Sequence, residues 1–321
     1  MNPLPGTDLV PLAIADIRAA RERIAGRVRL TPVVEAAPAK AALPGRVALK
    51  LECLQVTGSF KPRGAINALR SLPAAAAARG LVTASGGNHG LAVAYAGYVA
   101  RVPATIFLPR TVPAAKVEKL RAWGAEPVLV GDVWDESNAA ALAHLAARGG
   151  TYIHPFADHA VMAGQGTLGL ETLEQVPDAA TLLVAIGGGG LIAGVATAVK
   201  ALRPDIRVIG VEPVGAATLH DSRRAGGIIT LARIDTAAVT LAPRATHPDT
   251  FAIVDRLVDD IVLVDDPAMR AAAEWLWFEH SVAAELSGAA SVAALQTGAY
   301  RPAADERVVA VVCGAGTDGI G

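Results

Sequence analysis

Cysteine is almost absent from this sequence: Cys53 and Cys313 are the only two among 321 residues. Two isolated cysteines cannot form a disulfide framework, and they lack the paired spacing of a zinc site. The sequence therefore excludes a small secreted fold that depends on disulfides, and it also excludes a cysteine-based zinc centre.

An excess of charge of either sign is also missing, since 29 basic and 30 acidic side chains give a formal net charge of −1. This balance gives no electrostatic reason to expect binding to nucleic acid or to an anionic membrane. The first residues, MNPLPGTDLVPLAIADIRAARERIAG, lack a basic stretch followed by an apolar core. We expect no secretory signal here, and hence a cytoplasmic protein.

Long apolar runs are scarce, although hydrophobic residues make up 52% of the chain. The segment TLLVAIGGGGLIAGVATAV (181–199) is long enough to span a bilayer and carries no charge. Four consecutive glycines at its centre would destabilise a spanning helix, and no second segment resembles a span. We interpret it as a buried strand, a glycine loop and a buried helix, and we expect no membrane insertion.

Short apolar runs alternate with alanine-rich helical patterns along most of the chain. Helical examples are PAAKVEKLRAWG (113–124), which ends in a C-capping glycine, and DESNAAALAHLAARGG (135–150), which opens with Asp135 as a predicted N-cap. This alternation predicts an α/β fold with mostly parallel strands and helices on both faces. The predicted strands are 47–52, 80–85, 104–109, 126–130, 181–186, 207–212, 260–264 and 307–313.

The length of the chain suits two domains, or one large α/β unit with an insertion. No shift in composition marks a boundary, but the strand–helix series near residues 80–150 is able to form a compact four-stranded unit. We predict a small α/β domain at 80–150, and a large domain made of residues 1–79 and 151–321.

A single lysine, Lys61, lies in the stretch VTGSFKPRGAINAL (56–69). Glycines and Ser59 indicate a turn, after which a helix begins with Pro62 at its first position. Lys61 is thereby predicted at a loop-to-helix junction, where the helix dipole lowers the pKa of an ammonium group. The alternative is an ordinary surface lysine that happens to precede a helix.

Loops that follow strands are where ligands collect in open α/β sheets. In TASGGNHGLAVAYAG (83–97), residues 85–89 lead from a strand into a helix, and we name them the carboxylate loop. The Ser85 hydroxyl, the Asn88 amide and free backbone N–H groups at a helix N-terminus suit a carboxylate. The alternative is a glycine turn with Asn88 as the helix cap, and His89 alone would more often be structural.

Two further loops follow strands: the first suits an anion, and the second provides a polar side chain at a strand end. The segment AIGGGGLIAG (185–194) contains Gly187–Gly190, which we name the glycine loop; its backbone can wrap an anion at the start of a helix. It lacks the G-x-x-x-x-G-K-[ST] pattern and a suitably placed acid for a ribose, which favours a single phosphate over a nucleotide. In VVCGAGTDG (311–319), Cys313 lies where a predicted strand meets a glycine turn. The alternative is a buried cysteine that only packs as a small apolar side chain.

An amine, a carboxylate site, a phosphate site and a polar strand-end atom together match the needs of pyridoxal phosphate. The same segments resemble the fold-type II pyridoxal-phosphate enzymes, specifically the serine/threonine dehydratase and serine racemase branch. LECLQVTGSFKPRGA (51–65) resembles its cofactor-lysine motif, SGGNHG (85–90) its substrate loop and GGGGLIAG (187–194) its phosphate loop. GVEP (210–213) and ELSGAASVAAL (285–295) resemble later family segments, so the similarity runs from about residue 10 to the C-terminus.

The resemblance implies two open, twisted, mostly parallel sheets flanked by helices, as in the tryptophan synthase β-subunit. It also implies a homodimer that binds pyridoxal phosphate and a small amino-acid substrate. It assigns the cofactor bond and the removal of the substrate α-proton to Lys61. The other residues that it assigns to cofactor binding are Phe60, Asn88, Gly187, Gly188, Gly189, Gly190 and Cys313, and those for the substrate carboxylate are Ser85, Gly87, Asn88 and His89.

The identity of Cys313 bears on the reaction, because a neutral thiol cannot keep a pyridine nitrogen protonated as a carboxylate would. This favours loss of a leaving group as the α-proton departs. We therefore expect a dehydratase that converts L-threonine or L-serine to a 2-oxo acid and ammonia. Four alternatives stay open: a serine racemase, a dehydratase of another 3-hydroxy amino acid, a binding protein that has lost catalysis, and a dinucleotide-dependent oxidoreductase.

Some positions depart from the family pattern. Thr218 stands where metal-binding relatives have a second carboxylate after Glu212, so we expect no metal site, and Glu212 is interpreted as a solvated or paired acid. Gly86 stands where serine racemases have a proton-donating serine, which favours elimination over racemisation. IDTAAV (234–239) replaces the family's usual ADG segment near the substrate, so the side-chain preference stays open.

Overall fold

Strands and helices alternate along the chain and form two sheets in the computed structural model, which describes residues 11–320. The first ten residues of the segment predicted not to be a secretory signal lie outside the described residues. The two mostly parallel sheets with flanking helices confirm the predicted fold class.

The larger sheet has six strands in the order β1-β2-β10-β7-β8-β9. Its neighbouring strands are parallel, except that the edge strand β1 pairs antiparallel with β2. Strand β7 is buried along its whole length, as expected for a parallel strand covered by helices on both faces. These strands are β1 (Val33–Glu35), β2 (Arg46–Leu51), β7 (Thr181–Ala185), β8 (Arg207–Pro213), β9 (Asp260–Val264) and β10 (Arg307–Val312).

The smaller sheet has four parallel strands in the order β5-β4-β3-β6. Its strands lie between residues 81 and 152, while the domain boundaries at 80 and 150 stay a prediction. All eight predicted strands are present with ends shifted by at most one residue, but β1 and β6 were not predicted because each is too short to show a pattern. The four strands are β3 (Leu81–Ala84), β4 (Ala104–Leu108), β5 (Glu126–Leu129) and β6 (Thr151–Tyr152).

Helices cover both sheets, and none within residues 11–320 has the length and apolar character needed to cross a bilayer. Gly124 has φ +75°, in agreement with the predicted C-capping role. The prediction for Asp135 is wrong: the N-cap of α6 is Val133, and Asp135 lies inside the first turn. The α-helices are α1 (Ile14–Ile24), α2 (Lys61–Ser71), α3 (Ala74–Ala78), α4 (Asn88–Ala100), α5 (Ala114–Ala122), α6 (Trp134–Arg148), α7 (His159–Gln175), α8 (Gly190–Leu202), α9 (Thr218–Arg224), α10 (Pro248–Leu257), α11 (Asp266–His280) and α12 (Leu286–Gln296).

Each sheet has its own hydrophobic core, and α2 lies where the two meet. Ala65, Ile66 and Leu69 of α2 pack into the core of the smaller sheet, together with side chains of α4. The same helix packs along α7, whose Met162 and Leu168 belong to the core of the larger sheet. The segment that follows Lys61 is therefore held from both sides.

Candidate active site

Lys61 lies at the start of α2, with Pro62 in the second helical position. Its Nζ donates a hydrogen bond to the Pro155 carbonyl oxygen at 2.8 Å, and it lies 5.1 Å from the centre of the Phe60 ring. The pKa of the ammonium is lowered to about 8, and the main cause is burial rather than the helix dipole invoked from the sequence. Lys61 is thus not an ordinary surface lysine, and a larger fraction of its amine is neutral near pH 7 than in an exposed lysine.

A buried ionic cluster fixes the first turn of α2. Arg63 donates two hydrogen bonds to the Glu52 carboxylate, at 2.8 and 2.7 Å, and its guanidinium lies 2.9 Å from Glu171 of α7. Lys50 of β2 forms an ion pair with Glu171. Because buried charges are tolerated only when they are paired, this cluster allows little freedom to the backbone two residues from Lys61.

The glycine loop connects β7 to α8, as predicted. Its residues have no room for side chains: a Cβ on Gly188 would lie 2.2 Å from the Phe156 ring, and one on Gly190 would lie 2.4 Å from the Phe156 carbonyl oxygen. Gly189 has φ +89°, a backbone conformation that favours glycine. The first N–H groups of the 13-residue helix α8 have no intrahelical partner, which makes this loop suitable for an anion.

The segment 154–157, which carries no motif in the sequence, joins the lysine to the glycine loop. Pro155 accepts the Lys61 hydrogen bond, and Phe156 packs on Gly188. The His154 Nδ1 accepts hydrogen bonds from the backbone N–H of Phe156 at 3.2 Å and of Ala157 at 2.9 Å. Burial lowers the pKa of His154 to about 4, so its ring is neutral. The one available signal was its position directly after a strand, and that strand, β6, has only two residues.

The carboxylate loop leads from β3 into α4, which begins at Asn88. The alternative of Asn88 as a helix cap is wrong, since Gly87 is the N-cap and the Asn88 amide donates instead to Glu285 at 2.8 Å. The Ser85 hydroxyl accepts a hydrogen bond from the Gly87 N–H at 3.3 Å. The loop therefore presents a hydroxyl and the unpaired N–H groups of a helix start.

His89 is buried, and its Nε2 pairs with the Ile153 carbonyl oxygen at 2.9 Å. Burial lowers the pKa of the imidazole to about 3, so the ring is neutral. A carbonyl partner requires the proton on Nε2, which leaves Nδ1 as an acceptor without a partner among residues 11–320. Any contact of His89 with a carboxylate therefore has to use its backbone N–H.

Cys313 follows β10 and lies beside the lysine segment. Its carbonyl oxygen accepts the Phe60 N–H at 3.2 Å, and Ser59 and Gly314 form a bridge between the two segments. The thiol donates to the Ser287 carbonyl oxygen at 3.4 Å, and burial raises its pKa well above the ordinary value. Cys313 is therefore a neutral thiol.

These elements fit pyridoxal phosphate. A buried amine of lowered pKa lies next to a neutral strand-end thiol, and the segment 154–157 links the amine to an anion site. The Ser59 hydroxyl, one residue from Phe60, is buried without a partner in the described part of the chain, as a group awaiting a polar ligand would be. The sheets thus bring together Lys61, Cys313, the glycine loop and the carboxylate loop.

Glu212 is buried at the end of β8, which rules out the solvated alternative. Its carboxylate accepts the backbone N–H of Leu219 at 2.9 Å and of His220 at 2.8 Å. Burial raises its pKa to about 8, against these two hydrogen bonds. Thr218 uses its hydroxyl on the Pro243 carbonyl oxygen at 2.7 Å. Between residues 11 and 320 no three His, Cys, Asp or Glu side chains converge as metal ligands would.

Comparison with known proteins agrees with this geometry. The family model described as pyridoxal-phosphate dependent enzyme matches residues 24–314. An L-threonine ammonia-lyase of Geobacter sulfurreducens is 42% identical over 279 residues, which are 87% of this chain and 69% of the relative. A serine racemase of Oryza sativa subsp. indica is 42% identical over 283 residues, which are 88% of this chain and 83% of the relative.

Solved structures give the same picture. The crystal structure of a threonine deaminase from T.th. has a TM-score of 0.89 and 37% identity, and the match covers 94% of this chain and 98% of that one. The structure of maize serine racemase has a TM-score of 0.89 and 36% identity, covering 94% of this chain and 93% of the other. Both activities are thus represented among proteins of this fold.

Proposed function

The chain belongs to the family of pyridoxal-phosphate-dependent enzymes, and we propose that it is an ammonia-lyase that converts L-threonine or L-serine to a 2-oxo acid and ammonia. The observation that carries the proposal is the Lys61 amine, which is buried, has its pKa lowered to about 8 and opens a helix anchored on both sides. When bound, pyridoxal phosphate withdraws electrons from the α-carbon of an amino acid.

The residues of the site divide the work as follows in this proposal. Lys61 would bond the cofactor until the substrate amine takes its place in that bond, and the Lys61 amine thereby freed would accept the α-proton. The glycine loop holds the phosphate through backbone N–H groups, and the carboxylate loop holds the substrate carboxylate. The Phe60 ring packs beside the lysine. Asn88 would contact the ring oxygen of the cofactor, and Cys313 would face its ring nitrogen.

The neutral thiol of Cys313 determines which reaction is favoured. A thiol with a raised pKa is a weak hydrogen-bond donor and carries no charge, so it does not hold a proton on the ring nitrogen. The electron pair released by α-proton removal is then best accommodated by expelling the β-hydroxyl as the proton leaves. Substrates with a β-hydroxyl, such as serine and threonine, meet this condition.

Activity on matched substrates tests the proposal. L-threonine and L-serine should release ammonia and 2-oxo acid in equal amounts at about 1 s⁻¹ or faster. L-alanine, which has the same amine and carboxylate but no leaving group, should release none. If neither hydroxy amino acid is consumed while the protein binds pyridoxal phosphate, the ammonia-lyase assignment is wrong. Formation of D-serine as the main product would favour the racemase alternative, which the similarity to serine racemases supports.

Activity is also proposed to be independent of a divalent cation. The Glu212 carboxylate is used by two backbone N–H groups and the Thr218 hydroxyl by a carbonyl oxygen. A chelator should leave kcat unchanged and shift the melting temperature by less than about 2 °C. Loss of a cation that stabilises the fold would remove a few kcal/mol, so a large drop in melting temperature that magnesium or calcium reverses would refute this proposal.

We further propose a cytoplasmic homodimer with a small domain at 80–150 and a large domain at 1–79 and 151–321. Trp277 and Phe278 of α11 are large apolar side chains that are 52% and 68% exposed, which supports self-association. Sedimentation equilibrium would give the oligomeric mass directly.

A further inference from the structure

A hydrogen-bond chain, which we name the Glu285 cluster, consists of Glu285, Asn88, Ser287 and Thr240. Ser287 is buried, Glu285 and Asn88 are half-buried, and Thr240 is exposed. The Glu285 Oε1 accepts from the Asn88 Nδ2 at 2.8 Å and from the Ser287 hydroxyl. The Thr240 hydroxyl donates to the Ser287 Oγ at 2.6 Å. Glu285 is the first residue of the segment ELSGAASVAAL (285–295), and the sequence assigns no role to its carboxylate.

The cluster connects the two sheets across a long sequence distance. Asn88 starts α4, directly after β3 of the smaller sheet, whereas Glu285 and Ser287 lie at the start of α12, which packs on the larger sheet. Asn88 and Glu285 are 197 residues apart in the chain. Their hydrogen bond therefore fixes the N-terminus of α4 relative to the larger sheet.

Thr240 extends the cluster to both predicted ligand loops. It lies in the 3₁₀ turn Val239–Leu241, and its Cγ2 would be 3.7 Å from a Cβ on Gly87 of the carboxylate loop. Its carbonyl oxygen would be 2.8 Å from a Cβ on Gly187 of the glycine loop. A shift of this turn would thus change the contacts of both the carboxylate loop and the glycine loop.

Glu285 also lies next to the reactive groups. A Cβ on Gly314, the residue after Cys313, would be 2.3 Å from the Glu285 Oε1, so the carboxylate reaches this position only because residue 314 is glycine. A charged Glu285 carboxylate favours the protonated forms of Lys61 and Cys313: it opposes the lowering of the Lys61 pKa by burial, and it adds to the raised pKa of Cys313. The carboxylate therefore lies near the amine and the thiol.

We propose that Glu285 is a positioning residue that orients the Asn88 amide and holds the carboxylate loop in register with the glycine loop. An asparagine amide can rotate about its last torsion, but with Nδ2 committed to Glu285 the directions of its oxygen and of its second N–H are fixed. The inference rests on the proposed function only in placing Asn88 beside the cofactor. Glu285 acts by accepting hydrogen bonds, so glutamine, an uncharged acceptor of the same length, should partly replace it.

The test compares Glu285→Ala with Glu285→Gln, and uses Glu279→Ala as the matched control. Glu279 also accepts hydrogen bonds, from the backbone N–H groups of Ala39 and Ala41, but it lies at the exposed end of α11. Apo-protein is titrated with pyridoxal phosphate while tryptophan fluorescence is followed, and kcat and KM for L-threonine are measured on the loaded protein. The visible absorbance of the bound cofactor is recorded against pH.

Glu285→Ala should weaken cofactor binding about tenfold or more, because the acceptor of the Asn88 amide and of the Ser287 hydroxyl is lost. It should lower kcat/KM about 10²-fold, mainly in kcat, since a small misplacement of binding groups has this effect. The pH at which the cofactor absorbance changes should shift. Glu285→Gln should regain most of the cofactor affinity, and Glu279→Ala should bind the cofactor as the wild type does.

Wild-type cofactor affinity in a folded Glu285→Ala protein would overturn the inference. Equal defects in the alanine and glutamine variants would also overturn it, because the effect would then come from charge. If Glu285→Ala does not fold, Thr240→Val and Ser287→Ala are compared instead: the first removes the Thr240 hydrogen bond to Ser287, and the second removes the hydroxyl that donates to Glu285. Each should weaken cofactor binding about threefold. Unchanged affinity in both would refute the cluster. If the wild type binds the cofactor and the variants weaken that binding as described, but the wild type does not deaminate, only the proposed function is refuted.

Discussion

Replacing Lys61 with alanine is expected to reduce threonine and serine deamination by at least about 10³-fold, because the amine is proposed to serve both as the cofactor's covalent partner and as the base. In the wild type, borohydride reduction should fix pyridoxal phosphate on the peptide that contains Lys61. Lys119→Ala removes an exposed lysine of α5 and should leave both activity and labelling unchanged. Labelling at another lysine, or a fully active Lys61→Ala protein, would disprove the assignment.

The lowered pKa of Lys61 adds a pH dependence to this result. With a pKa of about 8, about a tenth of the amine is neutral at pH 7, compared with about 0.03% for an ordinary lysine. Since only the neutral amine can attack the cofactor aldehyde, cofactor uptake by the apo-protein should speed up as the pH rises and level off above about pH 8. Stopped-flow absorbance from pH 6 to pH 9.5 measures this rate, and a rise that continues toward pH 10 would show that burial does not act on Lys61 as described.

Introducing a serine at position 86 is expected to create racemisation only when Val112 is shortened as well. Gly86 has no positive φ, so backbone strain is not an obstacle to a side chain at this position. A Cβ at this position would instead lie 2.5 Å from the Val112 Cγ2. Val112 packs against the core of the smaller sheet and has limited freedom to move.

We expect negligible D-serine from the wild type and little from Gly86→Ser. In Gly86→Ser/Val112→Ala the ratio of D-serine to pyruvate should rise about 10²-fold or more, the usual contribution of one acid–base group. The control Gly86→Ala/Val112→Ala has the same Cβ without a hydroxyl and should not racemise. Chiral chromatography of the reaction mixtures measures the ratio. D-serine from the wild type at a rate close to that of pyruvate, or equal racemisation by the alanine control, would contradict this explanation.

The sequence predicts those features of the site whose pattern lies within one short segment of the chain. Lys61, the glycine loop and Cys313 each lie in a short segment where a strand or turn meets a helix, and the structure brings these segments together. The eight longer strands were predicted for the same reason, because their apolar runs are contiguous. The strands β1 and β6, of three and two residues, offer no such run.

Other contacts of the site join residues that are far apart in the sequence, and no sequence pattern predicts them. Asn88 looked like a helix cap because asparagine favours that position, but Glu285, distant in sequence, takes its amide. Val112 comes from a turn after β4, and nothing in its own surroundings connects it with Gly86. The lowered pKa of Lys61 was predicted in direction, yet its main cause, burial, depends on packing that only the folded chain provides.

The two cysteines have a consequence for redox chemistry. Only a thiolate is oxidised readily to sulfenic acid or attacks a disulfide, and burial raises the pKa of Cys53 to about 12 and that of Cys313 well above its ordinary value. Both thiols therefore stay protonated near neutral pH, including the one proposed to face the cofactor. The proposed reaction centre would thus contain a sulfur atom that is not sensitive to peroxide, so the activity should need no reducing agent to be maintained.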